Sequence, residues 1–166
     1  MMPAVPMPAT FREGAFAGLF LSRSQARAAP MNAKKAIRFL QKLKIPEGPA
    51  AGKALRLAPF QKQFVTGALA PGISVAALSI GRGNAKTALS AGLALGELLG
   101  EIGDTQPNRE IPFGARTRDQ ARLVWNFVAG YGRYLPEAVQ KRLTFRRAPR
   151  LEIEYEDDNG THLLRC

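Results

Sequence analysis

A short segment in the middle of the chain combines the residue types needed to hold a phosphate group. Small residues let successive backbone N–H groups converge on an anion, a lysine can neutralise β- and γ-phosphates, and a threonine hydroxyl can coordinate Mg²⁺. The segment consists of Gly81, Arg82, Gly83, Asn84, Ala85, Lys86 and Thr87.

Measured against the pattern G-x-x-x-x-G-K-[ST], this segment differs at two positions, because Ile80 replaces the first glycine and Ala85 the second. We expect a phosphate-binding loop here. A glycine-rich strand-to-helix turn without a ligand is the alternative.

The segments on either side of the loop are suited to position it. Residues 73–80 are almost uncharged and have the length of a buried parallel strand, and residues 88–99 form an apolar run typical of a helix. Residues 110–116 are predicted as a second strand and residues 118–131 as a further helix. This order predicts a right-handed βαβ unit, and therefore an α/β fold with a mostly parallel sheet and flanking helices.

Two helices are predicted before the loop. Asn32 is a candidate N-cap for a basic amphipathic helix over residues 33–43, and residues 59–69 form a second helix with Phe60, Phe64 and Val65 directed inward.

The chain after the second βα pair has a different pattern. Residues 135–143 are predicted as a short helix. Residues 151–155 and 161–165 form two strands around the turn signal Asp158-Asn159-Gly160, so the sequence ends in a predicted β-hairpin.

Composition excludes several classes of protein. The 166 residues include 46% apolar side chains, too many for a wholly disordered chain, and a single cysteine and a single histidine exclude a disulfide scaffold or a Cys/His zinc cluster. No apolar run approaches the roughly 20 residues of a membrane helix.

The net charge is +11, and residues 1–96 contain 13 basic but only two acidic side chains. Such a block favours a polyanionic partner, with a solvated basic face as the alternative.

Three segments resemble, in the same order along the chain, segments of the N-terminal ATPase part of phage terminase large subunits, which power DNA packaging. They are the pair at residues 60–61, the loop at residues 81–87 and the junction at residues 115–121. Arg82 lies four residues before Lys86, as in that family's loop, and Phe60 with Gln61 is similar to its aromatic-glutamine pair. Residues 115–121 are similar to the strand-to-helix junction that follows the loop, so the resemblance extends over roughly residues 33–166.

The resemblance implies a P-loop NTPase fold (RecA- or terminase-like) that binds ATP and Mg²⁺. Lys86 and Arg82 would act on the β- and γ-phosphates as the catalytic pair, Thr87 would ligate Mg²⁺, and Gln61 with Phe60 would select adenine. It also implies double-stranded DNA, a portal protein and a small terminase subunit as partners, a possible ring of identical subunits, no membrane association, and action in the bacterial host cytoplasm.

The family's apolar strand ending in Asp-Glu, which supplies the catalytic base, is not visible in this sequence. The acidic segment 154–158 follows an alternating strand and enters a turn, so we interpret it as a strand end. We therefore expect a poorly ordered leader over residues 1–32 and a partial, incomplete P-loop domain over residues 33–166. The family's nuclease domain would be absent, and ATP hydrolysis very slow.

Other residues receive structural interpretations. His162 is predicted at the surface or a sheet edge, Cys166 is assigned no role, and Trp125 and Phe127 are predicted in the core. Two groups of arginines could contact phosphate or simply be solvated: Arg116 with Arg118, and Arg146, Arg147 and Arg150.

Three alternatives to the terminase interpretation remain open at this stage. They are a helicase-like DNA-dependent ATPase, a non-catalytic basic remnant that binds nucleic acid, and a small P-loop kinase.

Overall fold

The fold is known from a computed structural model that describes residues 32–103, 106–147 and 149–166. The predicted leader, apart from Asn32, lies outside these residues. In chain order the described elements are α1 (Ala33–Lys42), α2 (Pro59–Ala68), α3 (Lys86–Leu98), β1 (Glu110–Pro112), α4 (Arg118–Gly132), α5 (Glu137–Gln140), β2 (Leu143–Arg146), β3 (Glu152–Asp157) and β4 (Gly160–Arg165).

Side-chain caps begin two of the helices where the sequence predicts them. Asn32 caps α1, with its Oδ1 accepting from the Lys35 N–H at 3.1 Å. Thr117 caps α4 in the same way, with its Oγ1 accepting from the Gln120 N–H at 3.3 Å. Each cap provides an acceptor for an N–H group that has none within its own helix.

The four strands form one sheet in the order β1-β4-β3-β2. Strand β4 runs parallel to β1 and antiparallel to β3, and β2 is also antiparallel to β3. The prediction of a mostly parallel sheet is therefore wrong for the described strands. The physical reason is that β2, β3 and β4 follow one another through short connections, which allow antiparallel neighbours only. The terminal hairpin is confirmed, with Asp157 paired to Gly160 at its turn.

Residues 73–80 have no regular secondary structure and belong to none of the four strands, so the predicted buried strand is wrong here. The side chains of Ile73 and Val75 are 47% and 65% exposed. An apolar run becomes a buried strand only where neighbouring strands pair with it and cover it, and no described strand pairs with this one.

Helix α3 is the centre of the core, with nine of its 13 residues buried. Gly92 and Gly96, one turn apart, let α1 and the chain after α3 approach closely. A Cβ at Gly92 would lie 2.6 Å from Leu40 Cδ2, and one at Gly96 would collide with Ile102. Helix α4 packs on the same helix, and its Tyr131 is 1% exposed.

The region after α4 differs from its prediction. Instead of one helix over residues 135–143, a four-residue helix α5 is followed by strand β2, which starts at Leu143. Leu143 faces the core and pairs with Tyr155 of β3, so tertiary packing overrides the local helical pattern. No described helix is long and apolar enough to cross a membrane.

Candidate phosphate-binding loop

The predicted loop lies directly before α3, where its backbone turns sharply. Gly83 has a φ of +82° and Ala85 a φ of +54°, so two left-handed residues flank Asn84. The left-handed conformation is strained for alanine, by roughly 1–2 kcal/mol. Ala85 is also the N-cap of α3 and has no side chain that could accept from the first N–H groups of the helix. These N–H groups remain directed towards the loop, where an anion could accept from them.

Lys86, the first residue of α3, folds its side chain back across the loop. Its Nζ donates to the main-chain oxygen of Gly81 at 3.0 Å and also to that of Ile80. The ammonium group is therefore held at the start of the loop by two neutral carbonyl oxygens, with no described carboxylate pairing with it. This arrangement leaves the positive charge available to an anion.

Gln61 connects helix α2 to the loop, although the two are more than 20 residues apart in sequence. It is only 6% exposed, and its Nε2 donates to the main-chain oxygen of Asn84 at 3.2 Å. Its Oε1 accepts from the Ala58 N–H at 2.9 Å, at the start of α2. The Asn84 side chain closes the turn by donating to Gly81 O at 3.3 Å. Gln61 thus supports the loop, while its predicted contact with adenine stays a prediction.

The other predicted site residues lie around this loop. Arg82 is exposed, and no described carboxylate pairs with it. Thr87 is half-buried as the second residue of α3. The prediction that Phe60 faces inward is wrong, because its side chain is 38% exposed. The buried side of α2 is formed by Gln61 and Val65, and Phe60 lies away from it. That exposure leaves its ring accessible to a ligand.

The donor set of the loop fits a phosphate group. It consists of backbone N–H groups, the Lys86 ammonium, the Arg82 guanidinium and the Thr87 hydroxyl, and it includes no carboxylate. Within residues 32–103, 106–147 and 149–166, no group of three or more His, Cys, Asp or Glu side chains could hold a metal ion. A Mg²⁺ ion at this loop would therefore use Thr87 together with oxygens of the phosphate.

The acidic residues of the terminal hairpin are engaged in structural contacts. Both oxygens of Glu154 accept from Arg146, at 3.0 and 2.9 Å. Asp157 accepts from the Asn159 N–H at 2.8 Å and contacts His162 Nε2 at 2.9 Å. Burial tends to raise the pKa of Asp157, but the hydrogen bonds from His162 and Asn159 outweigh it, so the pKa is lowered. These contacts agree with the interpretation of the segment as a strand end and turn.

His162 is fully buried at 0% exposure, so its prediction as a surface or edge residue is wrong. It lies on β4, an inner strand of the sheet, and faces the same side as Leu164. Its Nδ1 accepts from the Arg109 N–H at 3.1 Å. The other nitrogen, Nε2, therefore carries the proton and donates to Asp157, which satisfies both nitrogens of this buried ring.

Two residues that sequence reasoning missed hold the two ends of α3. Tyr131 donates from its hydroxyl to Ala88 O at 3.1 Å, in the first turn of α3, and burial raises its pKa to about 12. Arg109 donates from Nη2 to Leu98 O at 3.1 Å, in the last turn. The position of Tyr131 at the helical spacing of the α4 core residues could have indicated its contact with α3. No signal in the sequence indicates the contact between Arg109 and Leu98.

The remaining predictions concern structural residues. Trp125 is confirmed in the core, and Phe127 is half-buried with its ring centre 6.3 Å from that of Tyr131. Arg147 lies over the Trp125 ring at 5.5 Å, and Arg118 donates to Pro149 O. Burial raises the pKa of the Cys166 thiol to about 12, so at neutral pH it is a protonated, poorly nucleophilic group.

The helices, the loop before α3 and the four-stranded sheet place the chain in a class of proteins, those with a mixed α/β fold. Within that class, this chain is similar to a phage terminase large subunit. It is 40% identical over 96 residues to the terminase large subunit of Enterobacteria phage HK97, a match that includes 56% of this chain and 19% of that protein. The crystal structure of the HK97 bacteriophage large terminase matches with a TM-score of 0.64 and 26% identity, over 80% of this chain and 26% of that one.

Both comparisons confirm the resemblance, and the structural match also confirms the α/β fold class. The chain spans about a fifth of the length of the curated relative that it matches. No family model matches the sequence.

Proposed function

We propose that this chain is a nucleotide-binding domain that holds ATP with Mg²⁺ at residues 81–87. The observation that carries the proposal is the position of Lys86, whose ammonium group is held across the loop by the main-chain oxygens of Ile80 and Gly81, while no side chain caps the start of α3. A triphosphate carries several negative charges within a few ångströms, and an all-donor site of this kind is suited to hold them.

Each residue of the loop has a distinct part in this proposal. Lys86 would exchange its two carbonyl acceptors for phosphate oxygens, Thr87 would hold Mg²⁺, and Arg82 would reach the terminal phosphate from the exposed side of the loop. Bound Mg²⁺ would neutralise charge on the phosphate oxygens. Phe60 would pack beside the adenine base. Gln61 uses one N–H of Nε2 and one lone pair of Oε1 within the protein, so the other N–H and the other lone pair could bond to the edge of the base.

Hydrolysis by this chain is proposed to be slow. Among the described residues, no carboxylate pairs with the cations of the loop. Two carboxylates of the hairpin, Glu154 and Asp157, are hydrogen-bonded to Arg146 and His162. A general base must lie within hydrogen-bonding reach of the attacking water. The domain would therefore bind nucleotide without efficient turnover.

In the wider role, we propose that the domain belongs to a DNA-packaging terminase of the HK97 kind. Hydrolysis in the whole protein would drive double-stranded DNA into a prohead, in the bacterial host cytoplasm. A portal protein, a small terminase subunit and a ring of identical subunits would be its partners. The sequence and structural matches to the HK97 protein support this role over the helicase-like and kinase alternatives.

The test is binding of a fluorescent ATP analogue with Mg²⁺ to the wild-type chain, to Lys86→Ala and to Lys42→Ala. Loss of charge-assisted hydrogen bonds to phosphate should weaken binding roughly 10- to 100-fold in Lys86→Ala. Lys42→Ala removes an exposed lysine of α1 and should bind as the wild type does. Equal binding by all three proteins would reject the proposed site.

A further inference from the structure

Four cations of α1 lie on one side of the helix. They are Lys34, Lys35, Arg38 and Lys42, and all four are exposed. At 100° per residue they fall within an arc of roughly 100°, and at 1.5 Å per residue they extend over about 12 Å. We call this surface the α1 cationic face. The opposite side of the helix buries Ala36, Phe39 and Leu40.

None of these four cations pairs with a carboxylate among the described residues. Residues 32–96 contain a single acidic side chain, Glu47, which is exposed in the loop after α1. The unpaired charge is a local property of this side of the molecule.

Cations on the other side of the molecule behave differently. Arg146 pairs with Glu154 at 2.9 Å, Lys141 with Glu137 at 2.8 Å, and Arg165 with Glu152 at 3.3 Å. Residues 97–166 contain 11 basic and 11 acidic side chains, whereas residues 32–96 contain ten basic and one acidic. The α1 region therefore presents uncompensated positive charge that an external anion could neutralise.

The α1 cationic face also lacks the features of a protein-binding surface. Between its cations lies only one further exposed side chain, the polar Gln41, and no exposed apolar residue. Protein interfaces depend on apolar or aromatic anchors at their centre, which are missing here. A polyanion bound through its charge alone is the partner that fits.

The basic surface continues beyond the helix. The loop after α1 turns back, so that Lys44 pairs with Ala54 and the main-chain oxygen of Lys53 accepts from the Ile45 N–H at 2.9 Å. The Lys44 ammonium also lies 5.7 Å from the centre of the Tyr134 ring. Two more lysines, Lys44 and Lys53, thus lie near each other beyond the C-terminal end of α1.

We infer that the α1 cationic face binds the phosphate backbone of double-stranded DNA without reading its sequence. The choice of DNA among polyanions rests on the proposed function. The length of about 12 Å matches three or four phosphate charges along one strand, which are spaced by about 3.4 Å of helix axis. None of its side chains supports the loop at residues 81–87.

The test uses the 166-residue chain and a fluorescein-labelled 20-base-pair duplex of mixed sequence, with anisotropy measured between 50 and 200 mM salt. The variant K34Q/K35Q/R38Q/K42Q neutralises the α1 cationic face and keeps good helix-forming residues. The control R122Q/K141Q/R142Q/R150Q removes the same charge from exposed positions elsewhere. Circular dichroism establishes that both variants are folded.

We expect the α1 variant to lose roughly tenfold or more in affinity, and its slope of log K against log salt to fall by about 3 to 4. The control should change less than threefold. Unchanged binding by the α1 variant, or an equal loss in the control, would overturn the inference. So would displacement of the duplex by poly-L-glutamate at equal charge concentration, which would assign the face to acidic polypeptides.

The same proteins separate this inference from the proposed function. The α1 variant should bind the fluorescent ATP analogue as the wild type does, and Lys86→Ala should bind the duplex as the wild type does. A chain that binds DNA through α1 but no nucleotide would reject the proposed loop function alone. A chain that binds nucleotide but not DNA through α1 would reject this inference alone.

Discussion

The side-chain Nε2 of Gln61 donates to the main-chain oxygen of Asn84 at 3.2 Å, which fixes the candidate phosphate-binding loop to a helix that lies more than 20 residues earlier in the sequence. The same side chain accepts from the Ala58 N–H, so one buried amide group joins the start of α2 to the middle of the loop. The loop conformation therefore depends on a residue outside the loop.

Replacing Gln61 by alanine removes both hydrogen bonds and leaves a donor and an acceptor without partners. We expect the free energy of unfolding to fall by about 1–3 kcal/mol, and affinity for the ATP analogue to fall roughly threefold or more. Thermal denaturation and fluorescence titration measure the two effects. Gln63→Ala, an exposed glutamine on the same helix, is the control and should change neither quantity.

Replacing Ala85 by glycine should stabilise the chain. The φ of +54° is strained for alanine, and glycine removes that strain at a smaller cost in the entropy of the unfolded chain. The expected net gain in the free energy of unfolding is about 0.5 kcal/mol, measured by urea denaturation. The control Ala115→Gly relieves no such strain, because Ala115 does not have a positive φ, and it should lower the free energy of unfolding. A lower free energy of unfolding in Ala85→Gly would mean that the loop is not strained at this residue.

Tyr131 gives the stability of the chain a dependence on alkaline pH. Burial raises its pKa from 10.0 to about 12, so the neutral phenol is favoured in the folded state. Its contribution is complete below pH 10 and is lost as the pH rises from about 10 to about 12. Thermal denaturation should show a steeper alkaline fall for the wild type than for Tyr131→Phe. The variant should also lose about 1 kcal/mol at pH 7 with the bond to Ala88 O. Tyr134→Phe, with an exposed ring, is the control and should keep the alkaline fall of the wild type.

The sequence predicts those elements whose signals are local. The cap Asn32 and the turn at residues 158–160 each determine a boundary through contacts within a few residues. The turn at residues 81–87 before α3 is predicted in the same way, because its glycines and its position before an apolar helix are visible in the sequence, while phosphate binding there stays a prediction.

The features that the sequence did not predict depend on distant partners. Residues 73–80 have the composition of a buried strand, but whether a strand is buried depends on what pairs with it. Leu143 begins β2 because it pairs with Tyr155 of β3, a residue too far along the chain for a local pattern to indicate. His162 could have been placed correctly, since it alternates with Leu164 on one face of β4, yet its partners Arg109 and Asp157 are not evident from spacing.

Arg109 gives helix α3 a mechanical property. Its guanidinium binds Leu98 O in the last turn of the helix, and its backbone N–H binds His162 in the terminal hairpin. Helix ends normally fray, but this end is attached to the sheet. A helix of 13 residues is about 20 Å long, so α3 acts as a stiff rod between the loop and the hairpin. We therefore expect a displacement of the loop to reach the sheet through α3 rather than to be absorbed by a frayed last turn.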